Sequence, residues 1–291
     1  MRILVIGGSG VIGFETIKKL RKLGHDVFFT YYKNKTPISN GFSIDIRDAN
    51  KLTNIFQKII PDVVIHTTAI TNVDLCETNK ELAIQVNVEG TSNIINECLK
   101  NKSKLVYIST SFVFDGTKPN YSEEDTTSPT TFYGITKEKG EKLVKNSGLS
   151  FLILRTDLPY GVREKWQHTN SVCRTIDTIE SGKILNEIID WYNKPTFVPN
   201  FVSVMIELIK NKEEGIFHIV GPDFIHRYDF SIIVSEVFKL DKNKINSIKS
   251  NKLQLAAKRV NVNLNTNKIK EKTKIKILGV KDGLIKMKNS K

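Results

Sequence analysis

With 291 residues, 40% of them hydrophobic, the chain can bury a core in one large or two closely joined units, and no apolar run approaches the ~18 residues of a membrane span. Cys76, Cys98 and Cys173 show no CxxC spacing and the histidines no ligand pattern, so neither a disulfide framework nor a metal site is indicated, and a reducing, cytoplasmic compartment is expected. The formal net charge of +13 is concentrated: residues 241–291 hold fifteen of the 44 basic and three of the 31 acidic residues, leaving a nearly neutral body of 29 and 28, which argues against a nucleic-acid-binding chain.

In chain order, Arg2–Ile6 (RILVI) is predicted as a buried strand, and the glycines after it come too early for a signal-peptide core. A helix follows over 11–23, a second strand over 27–31 and a second helix over 49–60. Residues 62–66 (DVVIH) form a third strand, ahead of a long helix around 80–99. Two more strands lie at 105–110 (LVYIST) and 151–155 (FLILR), with a helix opening near Tyr133 between them. Near-continuous Val/Ile/Leu strands separated by helices imply an α/β fold, a doubly wound parallel sheet covered on both faces. After about residue 160 the pattern loosens. Residues 161–175 contain no strand-like run, 201–211 and 229–240 read as amphipathic helices, and IFHIV as a short strand between them. The expected organisation is a dinucleotide-binding unit over 1–160 and a smaller mixed substrate lobe over 161–291, closely packed and interleaved at its edges. In the basic C-terminal segment lysines alternate with Ile, Leu and Val, so a structured, solvated surface is expected there.

The first strand runs into GGSGVIG, where Gly7, Gly10 and Gly13 form a GxxGxxG pattern. Glycine permits the tight turn and close approach of a pyrophosphate, and the helix behind it offers its amides and positive dipole end. A purely structural turn is the weaker reading, because the pattern stands between an apolar strand and an amphipathic helix. The second strand ends in TYYKNKT, with Lys33 and Lys35 and no carboxylate between Asp26 and Asp45. An NAD site usually places an acid there. A basic cluster suits the 2′-phosphate of NADP, so NADP(H) is expected, with NAD(H) the alternative.

Tyr133 and Lys137, in FYGITKEKGEKLV, stand at i and i+4 on one helix face, where an ammonium favours a phenolate. Alone, such a pair reads first as an ordinary semi-buried aromatic and a solvated helix lysine. Ser109, Thr110 and Ser111 leave their strand at its carboxyl end, where a doubly wound sheet binds its ligand. With GGSGVIG, DIRD, HTTAITNVDLCE, YISTSFVFDG, FYGITKEKGEKLV and LILRTDLPYG in this order, nearly the whole chain resembles the extended short-chain dehydrogenase/reductase family. Within it the chain looks most like the dTDP-4-dehydrorhamnose reductases, and it is similarly close to the regulatory beta subunits of methionine adenosyltransferase.

The resemblance implies that Tyr133 is the general acid and Lys137 its pKa-lowering partner, which also bonds the nicotinamide ribose. Thr110 would hydrogen-bond the keto oxygen of the substrate. The implied cofactor site comprises Gly7, Ser9, Gly10, Val11, Ile12 and Gly13 in the turn, with Tyr32 and Lys33 after the second strand. Asp45 and Ile46 would lie near the adenine, Thr67, Thr68, Ala69 and Thr71 after the third strand, and Leu158 beside the nicotinamide. Two departures touch the pocket. The family pattern STD reads STS here, with Ser111 in place of the acid, and a pattern like RTSWVY has Leu158 in place of its Trp. The implied function is NADP-dependent reduction of a nucleotide-linked 4-keto-6-deoxysugar. Epimerase or dehydratase chemistry of the same family, or a cofactor-binding regulatory subunit, are the alternatives. The partner expected is a nucleotide sugar, with no membrane and no nucleic acid, and a homodimer is left open.

Weaker features carry two readings each. His66 is expected to be a satisfied core histidine. Trp166, His168, Trp191 and Tyr192 suit either a sugar or base ring or core packing. Arg155 suits a diphosphate or a carboxylate within the fold, and the acidic run SEEDTTSPTTFYG a lid or a solvated loop.

Overall fold

The structure, a computed structural model, describes residues 1–290. Its first strand, β1 (Arg2–Ile6), is buried on both faces because its side chains alternate between two cores: Ile3 and Val5 join one, Leu4 and Ile6 the other. Around it the chain lays down α1 (Val11–Lys22), β2 (Asp26–Tyr31), β3 (Gly41–Ser43), α2 (Ala49–Ile59) and β4 (Val63–His66). There follow α3 (Val73–Thr78), α4 (Lys80–Ile84), α5 (Gly90–Asn101), β5 (Lys104–Thr110), α6 (Phe132–Lys145) and β6 (Phe151–Thr156). Beyond these come β7 (Pro159–Tyr160), α7 (Ser171–Glu180), β8 (Leu185–Ile188), β9 (Tyr192–Asn193), β10 (Thr196–Phe197) and α8 (Val198–Lys210). The chain ends with β11 (Gly215–His218), β12 (Ile225–His226), α9 (Arg227–Phe238), β13 (Ile245–Ile248), α10 (Asn267–Lys272) and α11 (Val280–Asn289).

Seven parallel strands form one sheet in the order β11-β6-β5-β4-β1-β2-β3. Helices α1 and α8 cover one face with Ile17, Leu20, Phe201 and Met205, and α2, α5 and α6 the other with Leu52, Phe56, Ile94 and Val144. This is the doubly wound architecture read from the sequence. Three features differ from that reading. Strand β3 is too short for a hydrophobic period, and it is held where Gly41 meets the Phe29 ring. The helix expected over 80–99 is interrupted by a π-helical turn at Gln85–Glu89, which turns Asn87 into the interior. After residue 160 the chain also returns to the first unit. Helix α8 packs on α1, and β11 pairs with β6, Ile216 opposite Ile153. IFHIV is thus the sheet's seventh strand rather than part of the lobe, a pairing that a run so short cannot announce.

The lobe itself consists of the small ladders β7–β10, β9–β12 and β8–β13 with α7, α9 and α11, around Tyr160, Phe230 and Leu284. The lysine-rich C-terminal segment is structured. Ile269 and Leu284 are buried, while Lys270, Lys272, Lys274 and Lys276 face outward. Among the described residues no helix is long and apolar enough to cross a membrane.

Under the carboxyl edge of the sheet lies a buried ion pair. Arg155 of β6 bonds both carboxylate oxygens of Glu141 of α6, at 2.9 and 2.7 Å, with both residues almost wholly shielded. Ser109 Oγ donates to the same carboxylate at 2.6 Å, and His218 Nε2 lies 3.3 Å from Arg155 Nη1. Arg155 therefore serves the fold, not a diphosphate. Glu141→Ala leaves its guanidinium buried and unpaired, and is expected to cost about 3–5 kcal/mol of unfolding free energy. Urea denaturation checks this, and an unchanged midpoint would show that the pair is dispensable.

Candidate active site

Gly7 ends β1 with φ of 89°, in the left-handed region open to glycine. A Cβ there would strike the Thr67 and Thr68 side chains, and one on Gly13 would strike the Gly7 carbonyl. The turn is anchored by Gly8 N donating to Thr30 O at 2.7 Å and Thr67 Oγ1 donating to Gly7 O at 3.1 Å. Helix α1 starts after Gly10 with no side-chain cap and no acid in its first turn. Its first amides, on Val11, Ile12 and Gly13, are thus not opposed by a carboxylate and suit an anion. The loop after β7 covers this turn: Gln167 Nε2 donates to Ser9 O at 3.1 Å, and Trp166 stands edge-on to Phe14 at 5.2 Å.

At the carboxyl end of β2 Tyr32 is exposed, with the Lys33 ammonium 5.4 Å from its ring centroid. Asp45 is engaged by Arg47, whose Nε lies 3.0 Å from each carboxylate oxygen and whose Nη2 lies 2.6 Å from one. The hydrogen bond from Arg47 holds the Asp45 carboxyl below the usual carboxylate range. Arg47 also reaches Gln85 at 2.9 Å and interacts with Tyr32. The sequence reading passes over Arg47, although its place in DIRD, two residues beyond Asp45, is the signal that finds it. Ile46 packs against Gly90, where a Cβ would meet its side chain. The segment of Ala69 and Thr71 is strapped by Asn87, which accepts from Ile70 N at 2.7 Å and donates to Ile70 O at 3.1 Å and Thr136 Oγ1 at 3.0 Å. Asn87 is invisible in the sequence because only the π-helical turn brings it inward.

Helix α6 carries the expected pair. Thr131 caps it by accepting from Gly134 N at 3.1 Å. A Cβ on Gly134 would strike the Phe112 carbonyl, and one on Gly140 the Tyr107 hydroxyl, so these two glycines let α6 lie directly on β5 and the turn after it. Tyr133, Lys137 and Thr110 are all buried there. Lys137 Nζ donates to Ile108 O at 2.8 Å and lies 3.9 Å from the Tyr107 ring centroid. Burial pulls the Lys137 pKa down to about 7, opposed by the Glu141 charge. Burial pushes the Tyr133 phenol up from its ordinary value, the Thr110 hydroxyl acts the other way, and the charges of Cys76 and Asp157 add to the rise. The expected lowering of the phenol's pKa by Lys137 is thus not seen: the ammonium is spent on a main-chain carbonyl and a ring. The phenol is held in its proton-bearing form, the form an acid needs.

Beside this group, Leu158 follows β6 with φ of 38°, a left-handed conformation that costs a non-glycine residue strain. Asp157, just before it, is buried; its Oδ2 accepts from Lys194 N at 2.7 Å, its Oδ1 from Asn193 Nδ2 at 3.3 Å, and the Ser111 hydroxyl bonds it as well. Trp191 stands edge-on to Phe112 at 6.5 Å, and Phe112 edge-on to Tyr133 at 5.7 Å. The guanidiniums of Arg227 and Arg259 lie 5.3 and 5.1 Å from the Trp191 ring centroid. Arg259 is paired with Asp74 at 3.1 and 2.5 Å. Trp191 Nε1, Asn193 Oδ1, Arg227 Nε and Arg259 Nε are nevertheless buried without a hydrogen-bond partner, a condition that a polar ligand relieves. No motif announces Arg227 or Arg259, which come from α9 and the segment before α10.

The remaining candidates scatter. Tyr192 packs on Phe224 and His226 at 5.4 and 5.3 Å, and His168 is exposed. His66 is a core histidine on Thr91 Oγ1 at 3.1 Å, with burial taking its pKa down to about 3. The acidic run is not merely solvated, since buried Glu123 accepts from His218 N at 2.9 Å.

Residues 1–290 match the family described as the RmlD substrate binding domain. The chain belongs to that family. Among solved structures it is similar to the dTDP-4-dehydrorhamnose reductase of Bacillus anthracis in complex with NADP, with a TM-score of 0.90 at 24% identity over 100% of this chain and 99% of that one. It is also similar to a hypothetical dTDP-4-dehydrorhamnose reductase from Sulfolobus tokodaii, 30% identical, with a TM-score of 0.83 over 97% and 99% of the two chains. A further relative is the methionine adenosyltransferase 2 subunit beta of Pongo abelii, 27% identical over 264 residues, 89% of this chain and 78% of that protein.

For this RmlD-domain protein the turn and the buried lysine each make a prediction. Gly13→Ala is expected to weaken NADPH binding at least about tenfold, because the added carbon displaces the Gly7 carbonyl from the turn; fluorescence titration measures it. Lys137 has a folded pKa of about 7, below its unfolded value, so the unfolded chain binds more protons from pH 7 to about 10.4. Stability therefore rises with pH across that window, and Lys137→Met removes this component of the slope. Urea midpoints of both proteins from pH 7 to 10 check it, and parallel slopes would refute it.

Proposed function

We propose that the chain is an NADP(H)-dependent reductase of a nucleotide-linked 4-keto-6-deoxysugar, of the dTDP-4-dehydrorhamnose reductase type, with NAD(H) the alternative cofactor. The observation that carries this reading is the burial of Thr110, Tyr133 and Lys137 together at the carboxyl end of β5, in the sheet whose β1 ends in a glycine turn shaped for a pyrophosphate. The residues present fit a dinucleotide. A Cβ would fill the turn at Gly7 and Gly13, and Lys33 after β2 and Arg47 after β3 are the cations available to a 2′-phosphate. The NADP held by the Bacillus anthracis reductase supports the same choice.

A bound NADPH would supply a hydride to the carbonyl carbon of the substrate. The chain's own residues do the rest. The Thr110 hydroxyl donates to the carbonyl oxygen, and the Tyr133 phenol gives that oxygen its proton as negative charge develops, so that ketone becomes alcohol. Lys137, whose ammonium is held on the Ile108 carbonyl, would bond the ribose of a bound dinucleotide. Trp191, with Arg227 and Arg259 beside it, offers a ring and two cations to the base and diphosphate of the substrate's nucleotide.

A second reading has its own support, because relatives such as the Pongo abelii methionine adenosyltransferase subunit align over most of the chain. A regulatory subunit would bind dinucleotide, co-elute with a larger enzyme and turn over no keto-sugar. Absorbance of NADPH with dTDP-4-keto-6-deoxy-L-mannose separates the two. Turnover is expected, reduced about 10²–10⁴-fold by Tyr133→Phe. Cofactor binding without turnover overturns the reductase reading. In the same assay Arg47→Ala is expected to raise KM for NADPH about tenfold with little effect on NADH, as loss of a charge-assisted contact to the extra phosphate requires.

A further inference from the structure

The two guanidiniums beside the Trp191 ring are held differently. Arg227 has Glu187 at 3.8 Å, too far for a hydrogen bond from its Nε. Arg259 is clamped. Asp74, in the first turn of α3, takes both of its terminal nitrogens, Nη1 on Oδ1 at 3.1 Å and Nη2 on Oδ2 at 2.5 Å. Ala257 N donates to the same Oδ1 at 2.9 Å, and Arg259 Nη1 reaches the Ala257 carbonyl at 2.9 Å. This end-on grip occupies the outer edge of the fork. It leaves Nε buried and unpartnered, next to an indole whose Nε1 is in the same condition. Arg259 lies between β13 and α10, where the backbone forms no long helix or strand, so its place depends on side-chain ties. Further along, Asn261 accepts from Tyr192 N at 2.7 Å and Asn263 donates to Pro119 O at 3.0 Å. Among the described residues, the hydrogen bonds that tie 255–259 to distant parts of the chain end on Asp74.

We propose, resting on the reading of this pocket as the seat of the substrate's nucleotide, that Asp74 is a positioning residue for the substrate. It reaches from the dinucleotide unit to the C-terminal segment and keeps Arg259 in the pocket, with Nε open to a phosphate oxygen. An acid at this place also repels an anion, and the exposures decide which effect prevails. The Arg259 side chain is 10% exposed and that of Asp74 37%, so water screens the carboxylate more than the guanidinium. Without its counter-charge, a guanidinium this deeply buried bears an uncompensated desolvation cost. The long, flexible side chain escapes that cost by turning out to water, where it no longer meets the ligand. Loss of position therefore outweighs the repulsion relieved.

Calorimetric titration of the full chain with dTDP, a nucleoside diphosphate without the sugar, tests this and needs no turnover. Asp74→Ala is expected to weaken dTDP at least about tenfold, the loss of one charge-assisted contact, with the affinity for NADPH unchanged. A double-mutant cycle separates positioning from a structural role. In an Arg259→Ala background, Asp74→Ala should cause no further loss, whereas an acid that merely holds the segment together would add its own. Should Asp74→Ala fail to fold, Asp74→Asn, which keeps an acceptor for Ala257 N and removes the charge, carries the same cycle. In the reductase assay the same variants should raise KM for the keto-sugar and leave kcat nearly unchanged. Unaltered or tighter dTDP binding by Asp74→Ala, or additive losses in the cycle, overturns the proposal. A wild type that binds dTDP yet reduces no keto-sugar sinks the reductase reading alone. A wild type that binds no dTDP removes the nucleotide seat, and the role of Asp74 with it.

Discussion

The site depends on how closely α6 lies on β5. Gly134 and Gly140 face the Phe112 carbonyl and the Tyr107 hydroxyl, positions where any side chain would force the helix outward. Because the gap is closed, Tyr133 and Lys137 are sealed from water, and their electrical behaviour follows from the seal. The phenol is driven towards its neutral form and the ammonium is made easier to deprotonate, both first by burial. A looser helix would hydrate both groups and leave two ordinary side chains.

Burying an ammonium in this way requires support from below, and the fold supplies it. Glu141, one turn beyond Lys137 on α6, is the charge that favours the protonated lysine, and it is fixed by Arg155 and Ser109 from the neighbouring strands β6 and β5. His218, bonded to Glu123 and Asn265 O, closes the far side of Arg155. The edge strand and the loop ahead of α6 are thereby tied to one buried network. Stability and chemistry share residues here, and substitutions in this layer act on both.

Residues 1–160 were largely legible because β1, β4, β5 and β6 are buried on both faces and the long helices on one, so period and burial coincide. The glycine turn and the Tyr133–Lys137 spacing were legible because short local patterns carry them. Asn87 was not, since a π-helical turn shifts it off the helical period, nor were Arg227 and Arg259, whose place beside Trp191 arises from long-range packing. Asp157 stood in plain view in RTDLPYG, yet only the pairing of β5 with β6 shows that it sits against Ser111. Where the Lys137 ammonium points was not legible for a related reason. Spacing puts two residues on one helix face, but the Ile108 carbonyl and the Tyr107 ring decide where the ammonium points.

The late return of the chain to its sheet bears on how the protein is made. Until β11 is synthesised, β6 is the outer strand of the sheet, an apolar run with unpaired backbone groups along one side. Its partner leaves the ribosome about sixty residues later, which at ordinary elongation rates is roughly 3–12 s. During that interval the nascent sheet carries an open edge of the kind that recruits foreign strands. A chaperone that shields this edge would be needed only until IFHIV emerges, so its demand on the cell scales with the speed of translation through the lobe rather than with the stability of the finished enzyme.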